Sequence, residues 1–72
     1  MLVDKDGKWS GESHYRRFRE ESSWDVYRPI LRGGLQVGEK LVGTYVTVQA
    51  AREAAKRLDL ELADAMPGYR VE

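Results

Sequence analysis

Apolar residues in the second half of the chain recur with the spacing of an α-helix. They stand three or four positions apart at Val48, Ala51, Ala54, Ala55, Leu58, Leu62, Ala65 and Met66. This spacing keeps them on one helix face. Thr47 is a suitable N-cap, and Pro67–Gly68 ends the helix. The pattern predicts a helix over 48–58, and the prediction extends it to 66 although Asp59, Leu60 and Asp64 interrupt the stripe.

The segment before this helix has the composition of β-strands. Residues 24–31 are rich in aromatic and β-branched side chains and predict one strand. Pro29 has no N–H to donate, so this strand lies at an edge or bulges there. Residues 32–34 predict a turn, and residues 35–46 a second extended stretch. Gly38-Glu39-Lys40 either bends this stretch or divides it into two strands.

The first 23 residues carry weaker patterns. Asp6-Gly7 is typical of a hairpin turn, here between Leu2-Val3 and Trp9. Residues 13–21 fit a short helix with its aromatic side chains on one face, and they also fit a strand. We favour the strand.

These elements predict an α+β fold formed by one domain, residues 1–72. A small antiparallel sheet of three to four strands has one face covered by the C-terminal helix. The expected core is Trp24, Val26, Ile30, Val37, Leu41, Val42, Tyr45, Ala51, Ala54, Ala55, Leu58 and Leu62. One helix covers only one sheet face, so the other face must meet water, the N-terminal segment or another chain.

A chain of this size has a small core that a partner chain would stabilise. Its 72 residues support one small core, which supplies about 3–5 kcal/mol unless disulfides, a metal or a partner chain add to it. The chain has no cysteine and a single histidine, His14. We therefore expect a homodimer. The absence of cysteine fits a reducing compartment, and neither a signal-peptide pattern nor a membrane-spanning apolar run is present, so we expect a cytoplasmic protein with no membrane partner.

Charge gives little support for nucleic-acid binding. The chain has 12 basic and 12 acidic residues. Residues 1–45 hold eight basic and seven acidic side chains, and residues 46–72 hold four and five. Nucleic-acid binders commonly carry a net basic domain or face. Nucleic acid is therefore a less expected partner than protein.

Patterns of catalytic and metal-binding residues are missing from the sequence. Asp4-Lys5-Asp6-Gly7 resembles part of a calcium loop, but Leu2 and Ser13 then occupy ligand positions. His14 has no second histidine, cysteine or suitably spaced carboxylate beside it. The serines lack a nucleophile elbow, and the glycines do not form a phosphate loop. We expect no enzymatic activity, no metal and no cofactor.

The junction between the second strand and the helix carries a pattern seen in DNA-binding domains. Gly43 and Tyr45 precede the Thr47 cap, and a helix rich in alanine follows at Ala50, Ala51, Ala54 and Ala55. Residues 24–58 resemble the three-stranded sheet and helix of APETALA-type domains of plants and of the arm-binding domains of tyrosine integrases. The resemblance implies DNA binding through the sheet, where Arg28, Arg32 and Lys40 are the basic residues.

Tyr15-Arg16-Arg17-Phe18-Arg19 is the segment with the most suggestive chemistry. Interleaved aromatic and arginine side chains stack on bases and bind phosphate, and the same types dominate protein interfaces. In a third interpretation the aromatic residues pack in the core and the arginines are solvated. The candidate partner-binding residues are Tyr15, Arg16, Arg17, Phe18, Arg19, Arg28 and Arg32.

The expected function is that of a small non-enzymatic module that binds another protein. Short single-domain proteins without motifs are frequent among phage and plasmid accessory or inhibitor proteins. The alternative is DNA binding through the three-stranded sheet, in the manner of the integrase arm-binding domains.

Overall fold

The computed structural model describes residues 1–7, 9–17 and 22–72, with only the backbone described for Trp9 and Ser10. The described elements, in chain order, are β1 (Leu2–Val3), β2 (Trp9–Gly11), β3 (His14–Arg17), β4 (Trp24–Arg32), β5 (Leu35–Tyr45), α1 (Val48–Ala65) and β6 (Arg70–Val71). They form two three-stranded antiparallel sheets, with strand orders β2-β1-β6 and β3-β4-β5. The predicted α+β fold with a C-terminal helix is confirmed.

A long hairpin of β4 and β5 dominates the main sheet. Gly33 and Gly34 connect the strands with φ of 60° and 80°, a left-handed conformation that glycine adopts without a steric penalty. The second strand is continuous from Leu35 to Tyr45 and is not divided at Gly38–Lys40. Its irregularities are two shifts of register, which leave Val37 and Val42 as the extra residues on β5.

Pro29 marks the place where β4 changes from a central to an edge strand. Strand β3 pairs with β4 only from His14 opposite Tyr27 to Arg17 opposite Trp24. Beyond Tyr27, only β5 pairs with β4, and Pro29 lies opposite Glu39. A proline cannot donate to a third strand, which accounts for the end of the pairing with β3.

The helix starts and ends where its sequence indicates. Oγ1 of Thr47 accepts a hydrogen bond of 3.1 Å from the N–H of Ala50, as an N-cap does. At the other end, the N–H of Met66 donates to the carbonyl oxygen of Leu62. The predicted continuation past Leu58 is confirmed, because α1 reaches Ala65.

The core between helix and main sheet is smaller than predicted. It consists of Val26, Ala51, Ala54 and Ala55, with Tyr15, Trp24, Tyr45 and Leu58 packed against it. Alanine has no side chain beyond Cβ, so the helix approaches the sheet closely. The prediction was wrong for four residues: the exposed fractions are 40% for Ile30, 58% for Val37, 52% for Leu41 and 41% for Val42.

Strand geometry explains three of these four exposed positions. Val37 and Val42 are the extra residues of the two bulges, where regular alternation of side chains between the two faces is interrupted. Leu41 lies opposite Tyr27, which alternates with the core residue Val26 and therefore faces away from the helix.

The second sheet buries residues that the sequence pattern did not place in the core. Leu2 and Val3 are 0% and 1% exposed. Strand β1 pairs with β2 through the predicted turn, in which the N–H of Gly7 donates to the carbonyl oxygen of Asp4. It also pairs with β6, a two-residue strand that was not predicted.

None of the described helices is both long enough and apolar enough to cross a membrane.

Candidate protein-interaction surface

Tyr15, the first residue of the predicted partner-binding segment, faces the helix. Its ring packs against the core and meets the Trp24 ring edge-on, with 6.0 Å between ring centroids. Its hydroxyl accepts a hydrogen bond of 3.3 Å from Nε of Arg52 on α1. The contacts of Tyr15 therefore lie within the domain.

The arginines after Tyr15 lie on different faces of the sheet. Neighbouring residues on a strand point to opposite faces. Arg17, opposite Trp24, therefore shares the helix side with Tyr15, whereas Arg16, opposite Asp25, lies on the far side. Phe18 and Arg19 lie outside the described residues.

Arg16 belongs to a cluster on the sheet face away from the helix. Its Nη2 donates a hydrogen bond of 2.7 Å to Oε1 of Glu39, and Nε2 of His14 lies 2.8 Å from Oε2 of the same carboxylate. The guanidinium lies 4.2 Å from the centroid of the Tyr27 ring, on which His14 also stacks. The contact with Tyr27, reinforced by the charge of Glu39, raises the pKa of Arg16, so this side chain stays cationic.

A second carboxylate on this face is buried. Asp25 is 7% exposed. Its Oδ1 accepts a hydrogen bond of 2.9 Å from the Thr44 hydroxyl, and its Oδ2 lies 3.5 Å from the Tyr27 hydroxyl. With Asp25 and Glu39 beside Arg16, the described part of this face is not positively charged.

Arg28 and Arg32, the other two predicted binding residues, lie along β4. Because they are an even number of positions from Val26, alternation places both on the helix side of the sheet. Lys40 lies directly across from Arg28 on β5. Among the described residues, no carboxylate forms an ion pair with any of these three cations.

Exposed apolar side chains lie on the same two strands as these cations. We call Ile30, Leu35, Val37, Leu41 and Val42 the hairpin surface. Their exposed fractions run from 40% for Ile30 to 65% for Leu35. Gly38 lies opposite Ile30, and a Cβ added there would be 3.7 Å from Cδ1 of Ile30. The Ile30 side chain therefore extends toward β5 at this point.

A groove runs between β4 and the end of the helix. Residues Arg28 to Leu31 form one wall, and Leu62 and Met66 form the other, around a volume of about 170 Å³. Ligand pockets for small molecules typically enclose about 300–1,000 Å³. The groove fits an apolar side chain better than a cofactor.

The opposite face of this end of the hairpin is covered by β2. A Cβ at Gly11 would be 2.9 Å from Cδ2 of Leu31 and 3.0 Å from Cβ of Pro29. This contact explains why Pro29 is buried although β3 does not reach it. At this end of the hairpin, the described residues leave open the helix side and the β5 edge.

A second recess lies between the first turn and the end of the helix. It is lined by Asp4, Lys5, Asp6, Pro67, Gly68 and Tyr69 and has a volume of about 240 Å³. Oδ1 of Asp4 accepts the N–H of Asp6 within the turn. Across the described part of the chain, no group of three or more histidine and carboxylate side chains could hold a metal ion.

No protein-family model matches the chain, and no match was found among curated proteins or solved structures. The resemblance to APETALA-type and integrase arm-binding domains therefore stays a prediction. The junction that carries it has a structural reason in this fold. A Cβ at Gly43 would be 3.3 Å from Cε2 of Tyr45, so glycine gives the Tyr45 ring room to pack against the core.

Sequence reasoning missed Leu62 and Met66 as members of a candidate site and named Lys40 only in the DNA-binding alternative. A hairpin closed at Gly33–Gly34 without bulges places Glu39, not Lys40, opposite Arg28, since Arg32 pairs with Leu35. The extra residue Val37 shifts this register by one position. Leu62 and Met66 have the ordinary spacing of core residues, and the sequence carries no signal for the groove beside them.

Proposed function

We propose that this protein is a non-enzymatic module that binds another protein through the hairpin surface. The observation that carries the proposal is the exposure of Ile30, Leu35, Val37, Leu41 and Val42, each at least 40% accessible. They belong to two paired strands, and alternation places Ile30 and Leu35 on the helix side and Leu41 on the other face. Clustered exposed apolar side chains are typical of surfaces that meet another protein.

The size of the domain supports the same proposal. Its accessible surface is 5,062 Å², whereas monomeric proteins of this mass expose roughly 4,600 Å². The longest dimension is 40 Å against 20 and 16 Å for the others. An elongated domain with a small core gains stability when a partner covers its apolar surface.

The charge on the sheet face away from the helix argues against DNA binding through that face. DNA-binding faces neutralise phosphates with arginine and lysine. On the sheet face away from the helix, Arg16 is already paired with Glu39, and Asp25 lies beside it. The apolar side chains of the hairpin surface have no counterpart on a phosphate backbone.

The free edge of β5 is a weaker candidate for the contact. An unpaired edge strand can add a strand from a partner, but bulges and lysine on the edge oppose such pairing. Strand β5 has both, with extra residues at Val37 and Val42 and a lysine at Lys40. The side chains of the hairpin surface, rather than its backbone edge, therefore provide the contact.

Affinity capture with matched surface variants tests the proposal. One variant replaces Leu35 and Val37, both in the hairpin surface, with serine. The control replaces Val46 and Leu60, which are 81% and 56% exposed outside it. Each variant and the parent are immobilised in equal amounts after circular dichroism has shown that they are folded, and lysate is applied with and without nuclease treatment.

We expect one defined protein to bind the parent and the control variant and to be lost from the Leu35→Ser/Val37→Ser variant. Equal recovery on all three proteins contradicts the proposal. If the bound material disappears when the lysate is treated with nuclease, the protein binds nucleic acid and not protein.

A further inference from the structure

We infer that the part of the partner protein that binds here is both acidic and apolar, and that it docks in the groove between β4 and the end of α1. This inference rests on the proposed function and names the chemistry of the partner. Two cations, Arg28 and Lys40, lie opposite each other on paired strands beside the groove.

Their arrangement is unfavourable in the free protein. Like charges directly opposite one another on paired strands destabilise a sheet. Arg28 is half-buried and lines the groove, and neither it nor Lys40 forms an ion pair within the described part of the chain. A carboxylate from a partner would relieve the repulsion and restore the solvation that Arg28 has lost.

The apolar part of the site lies next to these cations. Ile30, Leu62 and Met66 line the groove together with Arg28. An apolar side chain of the partner can fill this volume while a neighbouring carboxylate reaches Arg28 or Lys40. Arg32, on the same side and directly before Gly33, extends the positive charge toward the hairpin tip.

A second copy of this chain does not fit the same surface. In a symmetric dimer the same patch lies on both sides of the interface. The positive charge of Arg28, Arg32 and Lys40 would then lie on both sides of that interface. The homodimer predicted from chain length would need a different surface.

The probes for this inference are three defined molecules. The first is a short synthetic peptide with leucine at every third or fourth position and aspartate or glutamate at the positions between. The second has the same leucines with lysine in place of every acidic residue, and the third is a duplex of random DNA sequence. Each is titrated into the full chain, and binding is followed by amide chemical shifts and by fluorescence anisotropy at low and at physiological salt.

We expect the acidic peptide alone to bind, with the largest shifts at Arg28–Arg32, Lys40, Leu62 and Met66. Arg28→Glu/Lys40→Glu should weaken it about tenfold, since each exposed ion pair contributes up to about fivefold. The matched control, Lys56→Glu/Arg57→Glu, makes the same change in net charge on exposed helix positions and should bind like the parent.

Three results overturn the inference. Equal binding of the acidic and basic peptides shows that charge does not select the partner. Absence of acidic-peptide binding, while the Leu35→Ser/Val37→Ser variant still loses its captured protein, refutes the acidic segment and leaves the proposed function standing. Tighter binding of the duplex than of the acidic peptide refutes both the acidic segment and the proposed protein-binding function, and favours nucleic acid as the partner.

Discussion

The backbone N–H of Ser13 donates a hydrogen bond of 2.8 Å to Oδ1 of Asp59. Ser13 lies between β2 and β3, and Asp59 lies in the middle of α1, so this bond connects the N-terminal segment to the helix. Both residues are buried, at 8% and 5% exposed. Oδ2 of Asp59 also lies 3.6 Å from the amino group of Met1. A carboxylate that interrupts the apolar stripe in the sequence thus holds two parts of the fold together.

Replacing Asp59 with alanine should destabilise the fold by about 1–3 kcal/mol, because the buried N–H of Ser13 loses its acceptor. Asp59→Asn keeps an oxygen acceptor and should cost less. Asp64→Ala, at an exposed position of the same helix, is the control for loss of one negative charge. Urea unfolding measures all three. A loss for Asp64→Ala as large as that for Asp59→Ala would show that the hydrogen bond is unimportant.

Close packing of the alanines against the sheet gives a second prediction. Ala55 is 5% exposed and belongs to the core around Val26. Ala55→Leu should overpack this core and cost about 1–3 kcal/mol. Lys56→Leu adds a similar apolar volume at an exposed position and should change stability little. Thermal unfolding of both variants checks the helix face, and equal tolerance of the two would contradict it.

Gly11 provides a third prediction, from the contact between β2 and the hairpin. A Cβ there would be 3.0 Å from Cβ of Pro29, a ring atom that cannot rotate away. Gly11→Ala should therefore destabilise the fold by about 1–3 kcal/mol. A Cβ at Gly38 has its nearest atom at 3.7 Å, an ordinary contact, so Gly38→Ala should cause no loss. Chemical denaturation distinguishes the two, and an unchanged midpoint for Gly11→Ala would show that β2 does not pack there.

The elements of this fold follow from local sequence signals, whereas the composition of its core does not. The Thr47 cap, the glycine turn and the periodicity of α1 act within a few residues, so the helix and the main hairpin were predictable. The burial of Leu2 and Val3 depends on pairing with β6, nearly 70 residues away. No local pattern carries that information.

The candidate site was predictable only in part, because it depends on register. Arg28 and Arg32 were predicted as binding residues, and alternation places them on one side of the sheet. Their association with Lys40 depends on the extra residue at Val37. Because of this residue, Lys40 lies opposite Arg28, the position that Glu39 would otherwise occupy. A bulge inserts one extra residue into a strand, and strand-forming propensity does not encode where it falls.

The pair formed by Arg28 and Lys40 gives the last prediction, in which stability and binding change in opposite directions. Lys40→Gln removes one of the two facing charges, and Lys40→Glu replaces repulsion with attraction. Stability of the free protein should rise in the order parent, Lys40→Gln, Lys40→Glu, by about 0.2–1 kcal/mol in all, as is usual for cross-strand charge pairs.

Salt should reduce the differences among these three proteins, since the side chain of Lys40 is exposed and exposed charges are screened. Affinity for the acidic peptide should fall in the same order in which stability rises. Binding sites are commonly less stable than they could be because their groups are arranged for a partner. Urea unfolding at low and high salt, together with peptide titration, measures both orders. If Lys40→Glu lowers stability, Arg28 and Lys40 do not repel each other in the free protein, which contradicts the inferred acidic partner.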